Sequence, residues 1–145
     1  MGVWALFFRI YKIYRRLAAV YYLIPSRCYL FCMDKDLGQL ALSVAKYLQS
    51  KDLVLACAES CTGGWIAKTV TDLPGSSSWF ERGFVTYSNA SKIEMLGVRE
   101  STLRTHGAVS EQTVREMAAG ALRRSRGNVA LCTSGIAGPD GGTYD

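Results

Sequence analysis

Three observations in the sequence predict an α/β domain. Short apolar segments that resemble buried strands alternate with segments in which apolar residues recur at helical spacing. Polar, glycine-rich turns follow two of these strands, over residues 59–64 and 134–142. The 145 residues are 49% hydrophobic and 20% charged, which suits one globular domain with a core. Alternating strands and helices favour a layered sheet covered by helices.

The first predicted elements are a helix, a buried strand and a second helix. The strand covers residues 53–58, and its unbroken apolar run is typical of burial on both faces. The second helix covers residues 64–73 and ends at Pro74 and Gly75. The first helix has Asp34 or Asp36 as its N-cap. Its apolar residues at helical spacing are Leu37, Leu40, Ala41, Val44 and Leu48.

The middle of the chain contains a polar loop at residues 76–78, which is suited to cap a short helical turn. A second strand is predicted over residues 83–87. A short helix follows over residues 90–96 and ends at Gly97. Residues 98–107 form a connector with some helix.

Ser110 caps the clearest helix of the chain. Gly127 ends this helix, and a third strand follows over residues 129–133. One face of the helix carries Val114, Met117, Ala118, Ala121 and Leu122, and its last turn gathers Arg123, Arg124 and Arg126, where cations suit the helix dipole.

The net charge of +5 arises from the N-terminal segment. Residues 1–32 carry five basic residues and no acidic one, whereas residues 33–145 carry twelve of each. The globular part therefore has no basic excess of the kind that nucleic-acid binding needs, and we expect no nucleic-acid partner.

Residues 1–32 are predicted to be a basic, aromatic-rich extension outside the fold. Acidic residues first appear just after Met33, where the amphipathic helix begins, so we interpret Met33 as the natural start and residues 33–145 as the domain. The longest uncharged run, residues 17–26, is too short to cross a bilayer. The less favoured alternative is a helix that lies on a membrane surface.

The five cysteines and the single histidine, His106, give no metal-binding pattern, so we expect no metal. Buried free thiols in a reducing cytoplasm are the favoured interpretation. Cys61 is a possible nucleophile, but we rank it below its neighbour Ser60.

Ser60 lies where the first predicted strand turns into a helix. Ligands of α/β sheets bind at the carboxyl ends of strands, and glycines there allow close approach of the backbone. A serine at this position is suited to be a nucleophile, a phosphate ligand or a cap. Neither glycine-rich turn matches a Walker loop or a dinucleotide fingerprint, which argues against a nucleotide triphosphatase and a dehydrogenase.

Four motifs together resemble the CinA C-terminal domain family. They span residues 58–64, 75–89, 106–110 and 134–142, in the order and spacing of the family. The resemblance implies a three-layer α/β/α sandwich and a cytoplasmic homo-oligomer without metal or cofactor. It further implies hydrolysis of the carboxamide of nicotinamide mononucleotide, the reaction of the stand-alone bacterial members of the family, the nicotinamide-nucleotide amidohydrolases.

Amide hydrolysis needs a nucleophile, a base and donors for the oxyanion. Ser60 is the predicted nucleophile. His106 lies in the connector and is interpreted as structural. Lys92 matches the family lysine that follows the Thr-Tyr-Ser-Asn motif, and a desolvated lysine can act as a base near neutrality. Tyr87 is predicted to relay a proton or to bind the intermediate.

Both turns are predicted to bind substrate. The backbone amides of Thr62, Gly63 and Gly64 are suited to the oxyanion or the phosphate, and the second loop would take the other group. Glu59 either orients the substrate or accepts from neighbouring amides. The predicted residues of the second loop are Ser134, Gly135, Gly138, Gly141 and Gly142.

Family members continue beyond the position of Asp145 with a strand and a closing helix. Their absence predicts an open sheet edge and weak or no activity, unless a partner chain completes the sheet. The alternative function is therefore a truncated, non-catalytic remnant that binds a nucleotide or a partner subunit.

Overall fold

The computed structural model describes residues 9–13, 17–24 and 34–136, with side chains from residue 37 onward. The strands are β1 (Arg9–Ile13), β2 (Leu17–Ile24), β3 (Leu55–Glu59), β4 (Phe80–Val85) and β5 (Val129–Gly135). The α-helices are α1 (Asp34–Ser50), α2 (Trp65–Thr71), α3 (Asn89–Leu96), α4 (Glu100–His106) and α5 (Glu111–Arg123), and a 3₁₀ turn covers Ser76–Ser78.

The strands form one sheet in the order β1-β2-β5-β3-β4. β3 lies between β4 and β5 and is parallel to both. All five of its residues are buried, as the predicted apolar run requires. Parallel neighbours bring the carboxyl ends of β3, β4 and β5 to one edge of the sheet.

Two apolar clusters cover the two faces of the sheet. Ala58, Ala130 and Cys132 pack with α3, α4 and α5, whereas Leu55 and Val129 pack with α1 and α2. Successive side chains of a strand point to opposite faces, so helices lie on both sides of the sheet. The predicted α/β fold class is confirmed.

α5 matches the prediction at its N-terminus and along its buried face, but it ends at Arg123, so Arg126 and the predicted stop at Gly127 lie beyond it. Ser110 accepts a hydrogen bond from the Thr113 N–H at its N-terminus, as the cap predicts. The predicted apolar face is buried, and Val114 and Met117 have no exposed surface. Each such side chain contributes about 1.5–3 kcal/mol to stability by leaving water.

α1 forms as predicted, but part of its predicted core face is wrong. Leu40 and Val44 are exposed, and the buried stripe is Ala41, Ala45 and Leu48. Each exposed residue is followed directly by a buried one, since Ala41 follows Leu40 and Ala45 follows Val44. Packing through the alanines allows the helix backbone to come closer to its neighbours than leucine would.

Two strand boundaries also differ from the prediction. β4 begins at Phe80 and ends at Val85, so Thr86 and Tyr87 lie beyond its carboxyl end. β5 extends to Gly135, which makes Ser134 a strand residue. Both ends are set by pairing: Val85 lies opposite Glu59, the last residue of β3, and Ser134 and Gly135 of β5 pair with Leu23 and Ile24 of β2.

Part of the N-terminal segment lies in the sheet. β2 runs parallel to β5 from the pair Ala18–Val129 to the pair Ile24–Gly135, and β1 pairs antiparallel with β2. This differs from the expectation that residues 1–32 lie outside the fold and that the edge beside the last strand is open. A natural start at Met33 stays a prediction. Among the described residues, no helix has the length and apolar character to cross a membrane.

Candidate active site

Ser60 lies at the point where three strands end. It directly follows β3, and its N–H donates to the Thr133 carbonyl at 3.1 Å. On the other side, the Thr86 N–H donates to the Glu59 carbonyl at 2.7 Å. These bonds extend the two ladders by one residue and fix the main chain at Ser60 between β4 and β5.

The turn from β3 to α2 depends on two glycines. The Gly63 N–H donates to the Ser60 carbonyl at 3.1 Å and closes the turn. Gly63 has φ 60° and Gly64 has φ 102°, both in the left-handed region that residues with a Cβ rarely adopt. The predicted order of strand, tight turn and helix is confirmed, with α2 beginning at Trp65.

Lys92 reaches Ser60 from α3. Ser88 begins this helix by accepting from the Ser91 N–H, and Gly97 ends it with φ 70°. The Lys92 side chain is 1% exposed, and its Nζ lies 3.0 Å from Ser60 Oγ. Nζ also donates to the carbonyl oxygens of Thr86 at 2.8 Å and Tyr87 at 3.2 Å.

The surroundings of Lys92 favour its neutral form. Its three hydrogen-bond partners are uncharged oxygens. Burial lowers the pKa of Lys92 below its usual value, against a smaller opposing effect of Cys132 and Cys61. A lysine with a lowered pKa is present as the neutral amine at lower pH than an exposed lysine.

Cys61 is less suited to be the nucleophile. Burial raises the pKa of its thiol above the usual value, although the amides of Cys61 and Thr62 and the charge of Lys92 act in the opposite direction. The reactive form of cysteine is the thiolate, which a raised pKa disfavours.

The other titratable candidates lie outside this cluster. His106 is exposed as the last residue of α4. Lys68 is exposed and pairs with Asp72 one helical turn away. Tyr87 contributes its carbonyl oxygen to Lys92, and its side chain is 70% exposed. The proton relay expected of the Tyr87 hydroxyl stays a prediction.

The three predicted amide donors of the turn between β3 and α2 differ in whether they already have a hydrogen-bond acceptor. The Gly63 N–H donates to the Ser60 carbonyl, and the Gly64 N–H donates to Glu59 Oε2 at 3.1 Å. Within residues 37–136, the amide of Thr62 donates to no oxygen and approaches the Cys61 sulfur instead. Of the three predicted amide donors, those of Gly63 and Gly64 thus already have an oxygen acceptor within the described residues.

The second predicted loop is described only at its start. Ser134 is buried, and its hydroxyl donates to the Ala108 carbonyl at 2.8 Å, which ties the end of β5 to the segment between α4 and α5. Gly135 is the last residue of β5. Gly138, Gly141 and Gly142 lie outside the described residues.

Sequence reasoning missed two residues. Thr86 is fully buried and holds both Glu59 and Lys92 through its main chain. Thr133 accepts from the Ser60 N–H and places its hydroxyl 2.9 Å from that of Thr62. The available signal was a threonine at the end of each apolar strand, but main-chain contacts leave no mark on residue type.

No group of three or more His, Cys, Asp or Glu residues suited to a metal ion occurs in the part of the chain that the structure describes. Cys57 and Cys132 are buried free thiols, and Cys61 is a partly buried one.

The family model of the CinA C-terminal domain matches residues 37–145. The chain belongs to the CinA C-terminal domain family. Nicotinamide-nucleotide amidohydrolase PncC of Escherichia coli K12, a relative, is 58% identical over 112 residues, which cover 77% of this chain and 68% of that protein. A putative competence-damage inducible protein of Symbiobacterium thermophilum is 51% identical over 130 residues, which cover 90% of this chain and 30% of that protein.

Solved structures of the CinA superfamily have the same fold. The crystal structure of the competence/damage inducible protein CihA from Agrobacterium tumefaciens is 49% identical and superposes with a TM-score of 0.73 over 81% of this chain and 70% of that one. A CinA superfamily protein from Escherichia coli is 33% identical and gives a TM-score of 0.72.

Proposed function

We propose that this chain hydrolyses the carboxamide of nicotinamide mononucleotide to nicotinic acid mononucleotide and ammonia, with Ser60 as nucleophile and Lys92 as general base. The observation that carries the proposal is the 3.0 Å distance between Ser60 Oγ and the buried Lys92 Nζ. The substrate is supported by the name of the Escherichia coli relative, a nicotinamide-nucleotide amidohydrolase.

The hydrogen bonds of Lys92 suit a base. A neutral amine has two N–H donors and one lone pair. In the neutral amine these two N–H groups donate to the carbonyl oxygens of Thr86 and Tyr87, and the lone pair takes the place of the N–H that donates to Ser60 Oγ in the structure, so that it can receive the hydroxyl proton of Ser60. This arrangement joins nucleophile and base within hydrogen-bonding distance, as covalent catalysis requires.

The reaction then proceeds in two halves. Ser60 Oγ attacks the carboxamide carbon while its proton passes to Lys92 Nζ. The tetrahedral intermediate collapses, the C–N bond breaks, and Lys92 returns the proton to the departing amine, which leaves as ammonia. A water molecule next attacks the Ser60 ester, Lys92 accepts its proton, and the acid is released as Ser60 recovers a proton.

The oxyanion of each intermediate needs fixed donors. We assign this role to the Thr62 amide, which lies in the turn immediately after the nucleophile. A preorganised donor of this kind is worth about 10²–10³ in kcat. The Tyr87 hydroxyl is the proposed second contact to the intermediate or its proton relay.

Ammonia release from nicotinamide mononucleotide tests the proposal. The wild type is expected to release ammonia, Ser60→Ala to lose this activity and Cys61→Ala to keep it. Activity in Ser60→Ala, or its loss in Cys61→Ala alone, would contradict the assignment of the nucleophile. Calorimetric binding of the nucleotide by a wild type that releases no ammonia would favour the non-catalytic alternative.

We also propose that the protein acts as a cytoplasmic homo-oligomer. The buried free thiols Cys57 and Cys132 suit a reducing compartment. Sedimentation equilibrium measures the oligomeric state, and a monomer at every concentration would contradict this part of the proposal.

A further inference from the structure

The carboxylate of Glu59 is enclosed beneath the nucleophile turn. The residue is 1% exposed although it is adjacent to Ser60. Oε2 accepts from the Thr62 hydroxyl at 2.7 Å and from the amide of Gly64 at 3.1 Å. An acidic residue is rarely buried so completely unless its oxygens are satisfied by partners.

The same carboxylate holds the start of α2. The Ile66 N–H donates to Oε2 at 3.0 Å, and the Ala67 N–H donates to Oε1 at 2.8 Å. These amides belong to the first turn of a helix, where no intrahelical acceptor exists and where a negative charge is favoured. The thiol of Cys57 lies 3.6 Å from Oε1 on the same strand. Glu59 thus fills the position at which a substrate anion would otherwise meet α2.

Thr62 connects this carboxylate to the neighbouring strand. Its hydroxyl contacts both Glu59 Oε2 and the hydroxyl of Thr133, whose carbonyl oxygen accepts the Ser60 N–H. A closed ring of contacts therefore runs from Glu59 through Thr62 and Thr133 to Ser60. The ring constrains the turn from both ends.

From this geometry we infer that Glu59 is a positioning residue for Ser60 and makes no contact with the substrate. The inference rests on the proposed function, in which Ser60 is the nucleophile. Both carboxylate oxygens are occupied by protein donors, and every one of these donors lies in β3, the turn or α2. Fixing the turn fixes the Ser60 hydroxyl opposite Lys92.

The variant Glu59→Gln tests this role, because it keeps the shape and replaces one acceptor oxygen with a donor NH₂. That group would face amide N–H donors, so the turn must shift. A displacement of the reacting atoms of about 1 Å costs about 100-fold in rate. We expect kcat on nicotinamide mononucleotide to fall about 100-fold while KM changes less than about threefold. Labelling of Ser60 by a small fluorophosphonate should slow in parallel.

Thr102→Val is the matched control. Thr102 is also buried and donates its hydroxyl to a carboxylate, that of Glu116, at 2.8 Å. The substitution removes this hydrogen bond and should lower the melting temperature without changing kcat or the labelling rate. If Glu59 only stabilises the fold, Glu59→Gln should likewise lower the melting temperature and leave kcat and the labelling rate unchanged.

The outcomes separate the two proposals. Wild-type kcat and labelling in a folded Glu59→Gln would overturn the positioning role, as would a raised KM at wild-type kcat, which indicates substrate contact. Activity in Ser60→Ala would instead refute the proposed nucleophile. If Glu59→Gln does not fold, Glu59→Asp decides, since it keeps the charge but is one methylene shorter. We expect its kcat to be reduced less than about 100-fold, and an unchanged kcat would overturn the inference.

Discussion

Glu59 and Ser60 are adjacent in the sequence, but their side chains enter opposite layers of the molecule. The Glu59 carboxylate accepts hydrogen bonds from the amides at the start of α2, and Ser60 Oγ accepts one from Lys92 Nζ on α3. The alternation of side chains along an extended chain produces this division. One strand end thereby supplies both the support of the turn and the reactive hydroxyl.

We predict that activity rises with pH as Lys92 loses its proton. Only the neutral amine accepts the proton of Ser60, and burial lowers the pKa of Lys92, so the active form appears below the usual range of lysine. The measurement is kcat/KM for ammonia release between about pH 6 and about pH 10.

Lys92→Met should reduce kcat by about 10²–10⁴-fold and remove this pH dependence. Lys68→Met, which changes an exposed lysine on α2, is the control and should behave as wild type. A profile that is flat in the wild type, or that declines with increasing pH, would argue against Lys92 as the base.

Tyr87→Phe should lower kcat without changing stability. The ring is 70% exposed, so removing its hydroxyl costs the fold little, whereas the carbonyl that holds Lys92 remains. A proton relay or a contact to the intermediate is worth about tenfold or more in rate. Steady-state kinetics with thermal unfolding of the same samples checks this. An unchanged kcat would leave the Tyr87 side chain without a catalytic role.

The free energy of unfolding should fall above about pH 9, where two buried thiols resist ionisation. Burial raises the pKa of Cys57 and of Cys132 above the ordinary value of 9.0. The unfolded chain then releases protons that the native state keeps, so each thiol contributes stability below about pH 9 that is lost as pH rises, at about 1.4 kcal/mol per pH unit.

Urea titrations at a series of alkaline pH values measure this loss. The double variant with Cys57→Ala and Cys132→Ala should lose less stability per pH unit than the wild type. Lys92 has the opposite effect, because its pKa is lowered on folding and its contribution becomes more favourable up to the usual value of 10.5. That effect is common to both proteins. Equal slopes in the two proteins would contradict the prediction.

Gly120→Ala should destabilise the fold and reduce activity together. A Cβ at Gly120 on α5 would lie 2.0 Å from the carbonyl oxygen of Leu96, the last residue of α3. The two helices must separate, at a cost of about 1–3 kcal/mol or more, and α3 moves Lys92 with it. Chemical denaturation and the ammonia assay on the same protein measure both effects.

Gly38→Ala is the matched control within a helix. Among the described residues, no atom outside the neighbouring helix backbone lies within 4 Å of a Cβ at Gly38 on α1, so the substitution should stabilise the protein by about 0.5–1 kcal/mol and leave kcat unchanged. If Gly120→Ala were as stable and active as Gly38→Ala, the close contact of α3 with α5 would be refuted.

Local signals predicted the elements well and tertiary contacts poorly. The cap at Ser110 and the apolar face of α5 identify that helix from sequence alone, because both are properties of neighbouring residues. The buried face of α1 was predicted only in part: Ala41 is buried as expected, whereas packing buries Ala45 and leaves Leu40 and Val44 exposed.

The candidate site shows the same division. The turn at Ser60 follows from the order of strand, glycines and helix, whereas Lys92 is 32 residues distant in the sequence and was found only through the family resemblance. Residue type does not reveal that the main chains of Thr86 and Thr133 hold Glu59, Lys92 and Ser60, or that the Glu59 carboxylate faces α2.

Main-chain carbonyls orient the Lys92 amine, so its placement does not depend on the side chain at position 87. An amino acid other than tyrosine at position 87 still presents its carbonyl oxygen to Lys92 while the backbone keeps its path. A substitution at this exposed position therefore changes what the side chain contacts and leaves the carbonyl acceptor of Lys92 in place. The placement of Lys92 beside Ser60 is thus a property of the backbone fold, whereas the Tyr87 side chain is a property of the sequence at one exposed position.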